Sequence, residues 1–178
     1  MTTSNLEEIL QAVAAPTEEI AMEEVGTVNK EEVDNFIFKV VELSSYLFQL
    51  HAQAGMMHLN LESPGFIGLH HFLEEQCAQH LCDFNKMGKL VRSMDYLMPM
   101  CAKGLLGSYK NFSHVTTYEA KPSLIRYTKN LENGGYMGKD LVKMAEACEC
   151  YDGAYEIACI INHMFTGAWK MKATLRQS

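Results

Sequence analysis

The sequence predicts an all-α fold, a four-helix bundle with a short extra helix between the second and third long helices. Three observations predict it. Four long stretches repeat apolar residues at the three- and four-residue spacing that gathers them on one helix face. Only four prolines interrupt the 178 residues, and few segments alternate β-branched side chains as half-buried strands do. The chain is 48% apolar, enough to build one sizeable core in one domain.

Residues 1–28 are expected to be an acidic extension, and residues 29–178 the bundle. The extension has a short apolar patch (Leu6, Ile9, Leu10, Val13) before Pro16, then mostly Glu, Ala and Thr. Asn29 is positioned to cap the first helix, with Glu32 three residues on, a capping-box arrangement. Val33, Phe36, Ile37, Val40, Val41, Leu47, Phe48, Ala54 and Met57 recur at helical spacing until about Asn60. Ser63, Pro64 and Gly65 then break the helix. A second helix is predicted from about Phe66 to Met94, burying Leu69, Phe72, Leu73, Cys77, Leu81, Phe84, Met87, Leu90 and Val91.

Residues 95–120 are less regular, with Pro99, Gly104 and Gly107, and a short helix fits around Cys101–Tyr109. The third long helix begins near Pro122, a good first-turn residue. It meets Asn133-Gly134-Gly135 and Gly138, where each glycine costs about 1 kcal/mol in a helix interior. Either the helix breaks there or close packing compensates. Asp152 is the expected cap of a fourth long helix, which reaches about Arg176. Its stripe is Ala154, Ile157, Ala158, Ile161, Met164, Phe165, Ala168, Trp169 and Leu175.

Charge and cysteine usage narrow the function. The net charge of −7 opposes a surface built for nucleic acid. Residues 1–34 hold nine acidic side chains against Lys30, a poor arm for phosphate. No apolar run reaches the ~20 residues that a membrane span needs. Glu7 and Glu8 stand where a secretory leader carries basic residues. The six cysteines show no zinc-ribbon spacing, so free thiols in the cytoplasm are expected.

The stretch with the most chemistry is His58 to Glu74. It sets two imidazoles twelve residues apart across a proline-containing turn. Glu74 follows His70 at i+4, on the same helix face. Neutral imidazole with carboxylate suits divalent iron, zinc or a related metal. His51, His71, Glu75, His80 and Asp83 are further donors for a rebuilt site. The bland reading of His51, His71, His80, His114 and His163 is structural or solvated polar contact. Trp169 and the twelve methionines read first as packing residues. Lys170, Lys172 and Arg176 complement the helix C-terminus.

The register of this stretch resembles that of the Dps mini-ferritins, the DNA-protection-during-starvation proteins of the ferritin-like superfamily. His58-Leu59-Asn60, Pro64-Gly65-Phe66 and Leu69-His70 stand in the spacing of that family's His-Trp-Asn, Pro-x-Phe and Leu-His signature. Ala145-Glu146, Asp152 and Trp169-Lys170-Met171-Lys172-Ala173 resemble its closing helix. The likeness runs over roughly residues 30–176.

The resemblance implies a ferritin-like bundle and a homo-oligomeric shell of twelve subunits. It also implies iron oxidation at two-fold interfaces and iron storage inside, protecting against oxidative stress. His58, His70 and Glu74 would be one subunit's catalytic metal ligands, with iron as the metal and zinc as a further cation for the same donors. The neighbouring subunit would supply an Asp and a Glu fifteen and nineteen residues after the second His. Asn85 and Lys89 stand there instead. An amide is a weak neutral ligand and an ammonium offers no lone pair. Ferroxidase activity therefore stays open, and a non-catalytic shell is the alternative.

Overall fold

Each long amphipathic stretch becomes a helix, and short turns decide which helices pair. The structure, a computed structural model, describes residues 29–62 and 65–176. The expectations for residues 1–28 and for Ser63-Pro64 lie outside them. Among the described residues five helices follow in order: α1 (Lys30–Asn60), α2 (Phe66–Ser93), α3 (Ala102–Ser108), α4 (Ala120–Ala147) and α5 (Tyr151–Arg176). α1 packs on α2 and α4 on α5, while α1 also meets α3 and α4 and α2 meets α5. α2 and α4 therefore lie diagonally across a bundle of two hairpins joined by one long crossover.

Local chemistry sets the helix ends. Asn29 caps α1, but its side chain accepts from Glu31 N at 3.1 Å, while Glu32 N bonds the Asn29 carbonyl at 3.0 Å. Gly65 precedes α2 at φ 83°, a left-handed turn that glycine adopts without Cβ strain. Asp152 is a correction: it sits in the first turn of α5, which already begins at Tyr151. There it favours the positive end of the helix dipole rather than capping it.

The core is formed by Phe36, Leu43, Leu47 and Leu50 of α1 with Leu73 and Met87 of α2, Leu131 of α4, and Ile157 and Met164 of α5. Burying each such side chain contributes roughly 1.5–3 kcal/mol. α4 runs unbroken through its glycines because α5 lies too close for side chains. A Cβ would meet Met164 at 2.9 Å from Gly134, Phe165 at 2.7 Å from Gly135, and Ile161 at 2.6 Å from Gly138. The crossover is pinned by amides. Gln49 Nε2 donates to the Tyr109 carbonyl, Gln53 Oε1 accepts from Val115 N, and Asn130 Nδ2 donates to the Ser113 carbonyl.

Three predicted core positions are corrected. Leu81 is 38% exposed and Trp169 64% exposed, and Ala158 faces solvent too. The inward face of α2 beside Leu81 is polar: His80 and Asp83 are buried. His80 Nε2 meets the Tyr127 hydroxyl of α4 at 2.8 Å, across the diagonal. Asp83 takes Gln79 Nε2 at 2.9 Å and His163 Nδ1 of α5 at 3.2 Å. Burial pushes the Asp83 carboxyl up against the opposing pull of His163. Burial, with His51 and His163 nearby, pushes His80 down to about 3.

Two outcomes follow for stability. Gly138→Ala is expected to destabilise by ~1 kcal/mol or more in urea unfolding, because overpacking against Ile161 outweighs the better helix propensity. Gly107→Ala, with nothing near its Cβ, should gain up to ~1 kcal/mol. The second outcome concerns pH. His80 binds its proton more weakly folded than unfolded, so its contribution is complete above pH ~6.5 and is lost as pH falls toward 3. Unfolding curves of His80→Phe between pH 7 and 4 should show a shallower loss than the parent; an unchanged slope would refute the assignment.

Candidate metal centre

The turn between α1 and α2 folds the end of one helix back on the start of the next, so residues twelve apart in sequence become neighbours. The His58 and His70 rings stack with centroids 4.0 Å apart and planes 28° apart. Glu74, one turn further along α2, joins them: donor atoms of all three lie within 4.8 Å of one another. These are the three residues that the sequence singled out. Among the described residues they form the one group of three or more His, Cys, Asp or Glu side chains close enough to share a metal ion.

Second partners orient these side chains. His70 Nδ1 lies 3.2 Å from the His58 carbonyl, which can only accept, so Nδ1 is the donor of that contact. His71 Nδ1 stands 3.8 Å from a Glu74 oxygen, both well exposed. Both imidazoles are half-buried and Glu74 is open to solvent. One wall is thus preorganised and the other is open. Leu59, next to His58, and Ile67, one turn before His70, are exposed apolar side chains on the same two helix ends.

The remaining donors named from sequence do not join the group. His80 and Asp83 face the bundle interior. His51 lies two turns before His58 on α1, with Nδ1 2.9 Å from the Cys77 carbonyl and 3.3 Å from the Cys77 thiol. Burial, then Glu74, pushes that thiol up. The sequence reading missed this pairing. The i, i+7 recurrence of His51 and His58 on α1, and of His70 and Cys77 on α2, is the signal that would have found it.

Asn85 and Lys89 are exposed one turn apart on the far half of α2, beside a groove lined by Phe84, Arg92, Met98 and Leu105. At 1.5 Å per residue, Lys89 lies ~28 Å from His70 along the same helix. Within one chain these positions cannot complete the group.

No family model matches the sequence, and no curated protein matches it by sequence. Solved structures do match the fold. Antigen TpF1 from Treponema pallidum superposes with a TM-score of 0.78 at 16% identity, covering 84% of this chain and 97% of that one. Dps from Vibrio cholerae, described as one of the ferritin-like diiron-carboxylate proteins, gives 0.76 at 12% identity, covering 89% and 99%. A dodecameric thioferritin from Bacteroides fragilis gives 0.71 at 10% identity, covering 82% and 88%. The chain has the ferritin-like four-helix fold of the Dps proteins.

Proposed function

We propose that the chain is a subunit of a hollow homo-oligomeric shell, a dodecamer of the Dps kind, that takes up ferrous iron, oxidises it and stores the ferric product in the cytoplasm. The observation that carries this reading is the convergence of His58, His70 and Glu74 at the α1–α2 turn of a Dps-type fold. Iron is the substrate and cargo; zinc competes for the same donors. Removing free ferrous iron with its oxidant would limit oxidative damage. Exposed Leu59 and Ile67 on the helix ends that carry His58 and His70 support a second copy closing over the open wall. The acidic residues 1–28 leave DNA compaction outside the proposal.

A second reading is a shell that no longer oxidises iron, and one observation favours it. A partner related by a two-fold axis would bring Asn85 and Lys89 to the open wall, where the Dps signature implies two acids. Ferrous iron needs anionic oxygen donors to hold its ferric product. On this reading the Lys89 ammonium pairs with the partner subunit's Glu74, an ion pair in place of a metal bridge.

Optical measurement of ferrous oxidation separates the two. On the first reading the parent turns over, and His58→Ala slows it by about tenfold or more, the scale on which metal sites respond to losing support. On the second, the parent is inactive and Asn85→Asp with Lys89→Glu gains activity. An active parent indifferent to His58→Ala would sink both.

A further inference from the structure

We propose that residues 4–13, which precede α1, dock as a helix into the groove between the second half of α2 and residues 98–105. The groove opens to about 430 Å³ over Phe84, Met98, Pro99 and Leu105, and Lys89 and Arg92 also line it. Both cations are exposed. Leu97 and Met100, neighbours of that apolar floor in sequence, are exposed as well. An apolar floor beside two cations suits an apolar, acidic occupant.

The chain itself carries an occupant of that description. Leu6, Ile9, Leu10 and Val13 stand at i, i+3, i+4 and i+7, the spacing of one helix face. Ser4 and Glu7 have the capping-box spacing that opens such a helix, and Pro16 follows it. Residues 1–28 contain six glutamates and no lysine, arginine or histidine. Glu7, ~100° round a helix from Leu6, stands at the border of the apolar face. The groove has the complementary need. Among the described residues neither Lys89 nor Arg92 takes part in an ion pair.

Connectivity brings the two together within one chain. The Tyr96 hydroxyl donates to Asp34 Oδ1 of α1, and Arg92 Nη1 donates to the Tyr96 carbonyl. The start of α1 is therefore held beside the Arg92 end of the groove. From there to Phe84 is only ~12 Å along α2. Residues 14–28 form the connection, and an extended chain of that length spans up to ~50 Å. The docked segment also covers Lys89, which the two-fold copy of the shell reading would bring to Glu74. On that reading, on which this consequence rests, segment and second copy exclude each other, so the segment restrains assembly.

Carbodiimide coupling of the full-length protein, which joins a glutamate to a lysine only in direct contact, tests the docking whether or not the chain handles iron. Peptide mass spectrometry should find Glu7 joined to Lys89 in the band of a single 20.1 kDa chain. Leu10→Asp, which leaves the bundle core untouched, should cut that link by about tenfold or more, the scale of one buried leucine. In sedimentation velocity the same variant should assemble at a protein concentration about tenfold lower. Three results would overturn the docking: a Lys89 link only in a two-chain band, equal coupling to the exposed Lys143, or a yield that Leu10→Asp leaves unchanged. Assembly indifferent to Leu10→Asp would overturn the restraint. A Glu7–Lys89 link in a chain that never assembles supports the docking and sinks the shell reading instead.

Discussion

Antiparallel packing of α1 against α2 is the constraint from which the rest of the molecule follows. α1 ends at Leu61 and the left-handed Gly65 precedes α2, and the last turn of α1 faces the first turn of α2. His58 and His70 stack because of that reversal, and Glu74 joins because one further turn of α2 returns to the same face. The same hairpin aligns Leu43, Leu47 and Leu50 with Leu73 and Met87, so site and core share a scaffold. The donors thus stand on packed helices, not on loops, and can hold their geometry before a metal arrives.

One hairpin supplies only half of what iron chemistry asks. Two imidazoles and one carboxylate bring a single negative charge, and the other wall is open. On the proposed reading a second copy related by a two-fold axis closes it, because Lys89 lies ~28 Å from His70 along α2 of the same chain. What that copy brings decides the chemistry. Two unit charges 4 Å apart interact by ~4 kcal/mol at an effective dielectric of 20. Lys89 is exposed, so screening lowers the figure. On the second reading proposed above, turning that attraction into repulsion would lower ferrous affinity, tenfold for each ~1.4 kcal/mol.

Most of the helices were legible because apolar periodicity and turn residues agree along the chain. The ends of α1 and α2 and the place of α3 follow from Asn29, Gly65 and the Pro99–Gly107 region. The closeness of His58, His70 and Glu74 was legible through the register shared with the Dps signature and the i, i+4 step from His70 to Glu74. The failure at Leu81 has a plain cause: a sequence stripe cannot say which of two adjacent residues points inward when the core admits polar groups. Leu81 looked like core, yet His80 and Asp83 took the interior, held by Tyr127 and His163 from helices 47 and 80 residues away in sequence. The continuity of α4 was undecidable for a similar reason. Its glycines are tolerated by the proximity of α5, a fact that no local propensity contains.

The polar interior also explains how the fold chooses one arrangement among the many that four apolar stripes would permit. Four greasy helices can slide or rotate with modest loss, but His80 reaching Tyr127 across the diagonal fixes α2 against α4. Asp83 with His163 fixes α2 against α5, and the Tyr46 hydroxyl bound to the Asn130 carbonyl fixes α1 against α4. Slipping any helix by one residue would strand a buried donor or acceptor, at a cost of about 1–3 kcal/mol each. The hydrophobic core supplies most of the stability and the buried polar contacts supply the register. Register is what sets His58 against His70 to within the reach of a single ion.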